Sequence, residues 1–204
     1  MTIINPDQQQ SVADLITDVE QHTDAEFVAV VARQSDDYRY IPVLWAAAIA
    51  LLIPLPVLFM PFWLTTADVV LVQWLSFLAL VGLFRIPALR IRLIPKSVRY
   101  GRAANMARRQ FLENNLHHTR GETGVLLFVS EAERYVEIIA DRGINQQVAQ
   151  TQWQGLVDDF VAAVKAGNTH EGLTNCIKGC GAILQQHVPA THQKNELPNH
   201  LILL

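Results

Sequence analysis

The sequence predicts an α/β domain, an α/β/α sandwich in which helices cover both faces of a sheet, with a two-helix transmembrane hairpin inserted into it. Three observations carry this prediction. Two dense β-branched runs, 26–32 and 124–130, have the composition of buried strands. Amphipathic helical stretches precede, separate and follow them. Between Arg39 and Arg85 the chain holds one charge, Asp68, while the other 159 residues hold 34 of the 35 charges, near the density of a soluble domain. The insert excludes an ordinary cytosolic globule, and two apolar segments are too few for a polytopic transporter.

Residues 8–22 place Val12, Leu15, Ile16 and Val19 at helical spacing. The strand 26–32 follows and ends in the polar turn 33–37. Some 39 residues are too few to fold alone, so 1–39 is the first part of a domain completed later. Residues 40–67 carry no charge and exceed the ~20 residues a membrane-crossing helix needs. Pro54, Pro56 and Pro61 should kink the second half. Residues 69–84 form a second span of about 24 Å, extended by 86–89 and by snorkelling of Arg85. Trp45, Trp63 and Trp74 suit membrane boundaries. The region 40–89 is thus expected to be a helical hairpin marked out by Tyr40, Trp63, Val69 and Phe84.

Residues 85–109 carry eight basic and no acidic groups. Arg85, Arg90, Arg92 and Lys96 are expected against lipid head groups, and the positive-inside rule places this side in the cytoplasm. The expectation is a multi-pass protein of the bacterial inner membrane with both termini and the domain cytoplasmic. No cleavable signal is expected, because 1–31 is acidic and lacks an apolar core at its start. Nucleic acid is not an expected partner, since no aromatics interleave the basic run.

The remainder, 90–204, holds the basic juxtamembrane segment and the rest of the domain. Residues 98–116 form a helix with Tyr100, Ala103, Ala104, Ala107 and Phe111 on one face. The strand 124–130 turns through Glu131 and Ala132 into a third strand, 134–140. A helix over 147–166 presents Trp153, Leu156, Val157 and Phe160, and Gly167 ends it. Another over 171–187 stops before Pro189. Cys176 and Cys180 fall on its apolar stripe with Leu173, Ile177 and Leu184, as core residues rather than a redox or metal pair. The closing Leu-Ile-Leu-Leu is either a short edge strand or loose. A helix between the first two strands implies a parallel crossover, with the hairpin inside it.

The string TGVLLFVSEAERYVEIIADRGI, 123–144, followed by Trp153 and the GLTNCIKGCGAIL helix, resembles the TPM domain family, named for a thylakoid lumen protein, a photosystem II repair protein and a nematode receptor modulator. A strand ending in the turn Ser35 to Tyr38 before a two-helix insert is similar to the family's bacterial membrane branch. The resemblance implies an α/β/α sandwich. It also implies roles in repair or modulation of membrane complexes, acid-phosphatase activity or calcium binding.

If the first two strands are parallel, Ser35, Asp36, Asp37, Ser130, Glu131 and Glu133 share the edge where open α/β sheets bind ligands. Asp36, Asp37, Glu131 and Glu133 are the types that hold Ca²⁺ or Mg²⁺, and such an ion assists phosphate hydrolysis. The same types are ordinary turn formers. Glu26, Asp141 and Arg142 should lie at the opposite edge, as a second candidate or as a strand-ending turn with a local ion pair. His117 and His118 are adjacent and point apart. GxSxG, Walker, HExxH and GxGxxG motifs are lacking. The leading expectation is a non-catalytic interaction or assembly and repair factor whose partner is another membrane protein or complex. A metal-assisted acid-phosphatase-like hydrolase and a metal-binding module without turnover stay open beside it.

Overall fold

The computed structural model describes residues 5–56, 65–119, 121–191 and 200–204. The chain divides into two compact units, 1–35 with 100–204, and 36–99.

In the first unit, α1 (Pro6–Gln21) starts where Pro6 presets the backbone φ, and the Gln8 side chain accepts the Asn5 N–H at 2.9 Å. Next come β1 (Glu26–Ala32), β2 (Gly124–Ser130) and β3 (Tyr135–Ala140). The end of the chain adds β4 (His200–Leu203). The sheet order is β3-β2-β1-β4. β1 and β2 run parallel, from Glu26 opposite Gly124 to Ala32 opposite Ser130. β4 also runs parallel to β1, while β3 returns antiparallel to β2. The terminal leucine run is therefore an edge strand, and it makes β1 an interior one. Its register is held where Arg33 N–H reaches the Leu204 carbonyl at 2.8 Å and Leu204 N–H reaches that of Val31 at 3.0 Å.

Alternation along the strands builds two cores. Phe27, Ala29 and Val31 of β1 and Val125, Leu127 and Val129 of β2 point to one face. There they meet Val12 and Ile16 of α1, Trp153 and Phe160 of α7 (Gln150–Lys165), and Leu173, Ile177 and Leu184 of α8 (Thr169–His187). Val28, Val30, Leu126 and Phe128 point to the other face, against Ala103, Ala107 and Phe111 of α5 (Lys96–Glu113). Every residue of β1 and β2 is buried, which explains their unbroken apolar runs. Cys176 and Cys180 are buried free thiols in the first core, and their mutual hydrogen bond and burial push the Cys180 thiol up.

The second unit contains α2 (Tyr40–Leu52), α3 (Thr66–Leu83) and α4 (Pro87–Leu93). α2 is shorter than the uncharged stretch. It stops before Pro54, which has no N–H to donate and whose ring collides with the preceding turn. Pro61 and Trp63 lie outside the described residues. α2 packs along α3, and its buried face carries Ala46 and Ala50, small residues one turn apart that allow close helix approach. α3 opens on a reciprocal cap in which Thr65 N–H reaches the Asp68 carboxylate at 2.9 Å and Asp68 N–H reaches the Thr65 hydroxyl at 3.3 Å. The one charge of the insert is therefore a helix cap. The unit extends to residue 99 because Tyr38, Ile41 and Ile94 form a small core with Ile91 and Val98 packed on it.

Candidate functional site

The carboxyl ends of β1 and β2 and the start of β3 do share one edge. Glu131 N–H donates to the Ala32 carbonyl and Ala132 N–H to that of Arg33, both at 3.0 Å, so the β2–β3 turn is stitched to the end of β1. Arg134 closes this turn in the left-handed region at φ 52°. Glu133 is only 1% exposed. Both of its oxygens accept the Ser35 N–H at 3.1 Å, and the Ser130 hydroxyl donates to Oε2. The Ser35 hydroxyl donates in turn to Ser130 Oγ at 3.0 Å. Of the predicted edge residues, Ser35, Ser130 and Glu133 are thus brought together in one buried network. Glu131 is half-buried beside it and contributes backbone.

Asp36 and Asp37 belong to the other unit. Asp36 Oδ1 accepts the Tyr38 N–H at 3.1 Å, which supports the left-handed Tyr38 at φ 50°. Asp37 forms an exposed ion pair with Arg39 at 2.8 Å. Among the described residues no group of three or more His, Cys, Asp or Glu side chains is placed to hold a metal ion.

At the opposite edge, Glu26 is buried at the start of β1, where its N–H donates to the Thr123 carbonyl at 3.3 Å. Asp141 N–H donates to the Gly124 carbonyl at 2.8 Å, and Asp141 Oδ1 accepts the Arg142 N–H at 2.8 Å to cap the single-turn helix α6 (Arg142–Asn145). The Asp-Arg contact is a backbone cap, and the Arg142 side chain is exposed. Gly143 is required sterically, since a Cβ there would meet the Gly121 carbonyl oxygen at 2.1 Å. Ile144 is fully buried in the first core. The Asp-Arg-Gly-Ile string therefore works as cap, close approach and anchor.

This edge holds a residue that the sequence pattern did not single out. Glu20, in the last turn of α1, accepts the Phe27 N–H at 2.9 Å. Burial pushes its carboxyl up from the usual 4.5 to about 7, the Phe27 bond opposes the rise, and the charge of Glu26 adds to it. The signal lay in helix periodicity: Glu20 is four residues past Ile16, on the apolar stripe. A second unforeseen group lies around β3. Tyr135 donates to Glu137 at 2.8 Å and meets the Tyr100 ring edge-on at 5.3 Å. Burial and Glu137 push the Tyr135 hydroxyl pKa up.

Of the predicted hairpin markers, Tyr40 begins α2, Val69 lies in the first turn of α3 and Phe84 ends that helix. Arg85 follows Phe84 and is exposed. Arg90 and Arg92 occupy the last turn of α4, and Lys96 opens α5.

Fold and edge together define a mixed α/β domain with a four-stranded sheet and a polar cluster at the carboxyl ends of its parallel strands. Residues 89–183, just under half of the chain, match the family model of the TPM domain. The chain is also similar in structure to the BA42 protein from the psychrophilic bacterium Bizionia argentinensis, solved by NMR. The TM-score is 0.61 at 17% identity, covering 98% of this chain and 94% of that one. At that identity the likeness is one of fold. No curated protein matches the sequence.

Proposed function

We propose that this chain is a membrane-anchored TPM-type protein. Its α/β domain works on the cytoplasmic side of a bacterial inner membrane as a non-catalytic interaction module for a membrane complex. The observation that carries the proposal is α3. It is the one helix among the described residues long and apolar enough to cross a membrane, and none of its residues is buried. Val70, Leu71, Trp74, Leu75 and Leu78 present their side chains outward. Each such side chain costs roughly 1.5–3 kcal/mol in water relative to an apolar surrounding, so lipid or protein must cover this helix. α2 is the partner span in the proposal, completed by residues outside the described ones. The basic run after α3 orients the hairpin, with both chain ends on the cytoplasmic side.

The interaction role is supported by the state of the carboxylate edge. Glu133 spends its lone pairs on Ser35 and Ser130, which makes it a fastener between the β1 exit and the β2–β3 turn. The test joins three measurements. The full chain should resist alkaline carbonate extraction from membranes, and a reporter fused after Leu204 should read cytoplasmic. Photo-crosslinking from the domain surface in native membranes should capture a defined membrane-protein partner. Extraction by carbonate, a periplasmic reporter, or divalent-ion-dependent phosphoester hydrolysis by the purified full chain would each defeat part of the proposal.

A further inference from the structure

Resting on the membrane-anchored reading, we infer that residues 85–96 form a head-group belt that binds anionic phospholipid in preference to zwitterionic lipid. The sequence presents these cations as a continuous run. The structure folds the run into a built shape. α4 is drawn back to the base of α2, because the Trp45 indole N–H donates to the Leu93 carbonyl at 3.0 Å. Ile91 and Ile94 pack with Tyr38 and Ile41 on the same side. The short helix cannot swing away without breaking both contacts. Arg90 and Arg92 in its last turn are therefore held between Arg85, which directly follows the apolar α3, and Lys96, which opens α5.

Charge and apolar surface agree on one occupant. From Arg85 through Arg109 the chain has no carboxylate. In the same unit, the Asp37 carboxylate pairs with Arg39. A phospholipid carries its phosphate on the same molecule as its acyl chains, so one ligand satisfies both the exposed face of α3 and the cations beyond its end. Trp is a side chain that sits at this depth of a bilayer, and the exposed Trp45 pins the belt through its bond to Leu93. Duplex nucleic acid would meet the cations and leave α3 uncovered.

The experiment uses the full chain in phosphatidylcholine vesicles and reads quenching of its tryptophans by brominated lipids. Brominated phosphatidylglycerol should compete for the protein surface at least about fivefold better than brominated phosphatidylcholine at low salt, the gain expected from one engaged cation. The preference should collapse towards equality in 0.5 M salt, where screening shortens to a few ångströms. It should also collapse in the triple variant Arg85→Gln, Arg92→Gln, Lys96→Gln. The salt response of the unaltered protein stands even if that variant folds badly. Equal quenching by the two lipids, or a preference that survives both salt and the triple variant, overturns the belt. So does loss of the preference on adding a stoichiometric DNA duplex, which would assign the cations to nucleic acid. Carbonate extraction of the same vesicles separates the two proposals. A retained protein without lipid preference defeats only the belt, and an extracted one defeats the anchor itself.

Discussion

Each end of the sheet holds a carboxyl away from bulk water, wholly at Glu133 and partly at Glu20, and the fold aims different numbers of donors at the two. At the carboxyl ends of β1 and β2, Glu133 receives the Ser35 N–H on both oxygens and the Ser130 hydroxyl besides. At the amino end of β1, Glu20 accepts one N–H, from Phe27, and lies within reach of the Glu26 charge. Burial pushes the Glu20 carboxyl up, and the single Phe27 N–H only partly opposes that rise. Glu133 holds two segments together as an acceptor of several hydrogen bonds, whereas Glu20 is pushed towards its neutral form near pH 7.

The largest effect should come from the steric side of the Glu20 end. Gly143→Ala sets a Cβ 2.1 Å from the Gly121 carbonyl oxygen, so backbone must move. A loss of about 3 kcal/mol or failure to fold is expected, read as the denaturant midpoint of the full chain in mild detergent. A variant of unchanged midpoint would show that this end yields easily, and the contrast with the Glu133 end would weaken.

Next in size is Glu133→Ala, which strands the Ser35 N–H and the Ser130 hydroxyl in a buried place. It should cost about 2–3 kcal/mol. Glu133→Gln should cost less, because one acceptor oxygen remains. Equal losses in the two variants would mean that charge rather than hydrogen bonding fastens the edge.

The pH response tests the other carboxylate. The folded pKa of Glu20, about 7, exceeds the ordinary 4.5, so the folded state holds the extra proton between them. Stability from this group is complete below about pH 4.5 and lost as pH rises to about 7. The loss should be about 2 kcal/mol after allowing for partial exposure. Glu20→Gln should flatten this slope and be the more stable protein at pH 8. An unchanged slope in the variant would assign it to another group.

Asp37→Ala provides the smallest effect. Its ion pair with Arg39 is exposed on both sides, and the change should shift stability by no more than about 0.5 kcal/mol. A larger loss would show that Asp37 does more than pair with Arg39.

The same contrast shows what the sequence made legible. β1 and β2 were readable to the residue, since a strand buried on both faces must be apolar throughout. The antiparallel β3 and the last two helices were readable from turn length and periodicity. The place of β4 was not, because four residues of strand owe their position to a partner some 170 residues earlier. Asp36, Asp37, Glu131 and Glu133 looked alike as acidic turn residues. What separates them is which donors the fold aims at each, and spacing does not encode that. Glu20 was overlooked for the opposite reason: it sits in a regular helix, and only its neighbours across the sheet edge make it unusual.

The interior position of β1 has a consequence for synthesis. Its two hydrogen-bonding neighbours are β2, which begins at residue 124, and β4, which begins at residue 200. A ribosome adding roughly 5–20 residues per second leaves β1 without a partner for on the order of ten seconds, while the apolar insert is being made. During that interval a strand that the finished fold buries along its whole length is tethered directly to the segment proposed to enter the bilayer. Slowing delivery of the nascent chain to the membrane should therefore lower the yield of folded domain as well as its insertion.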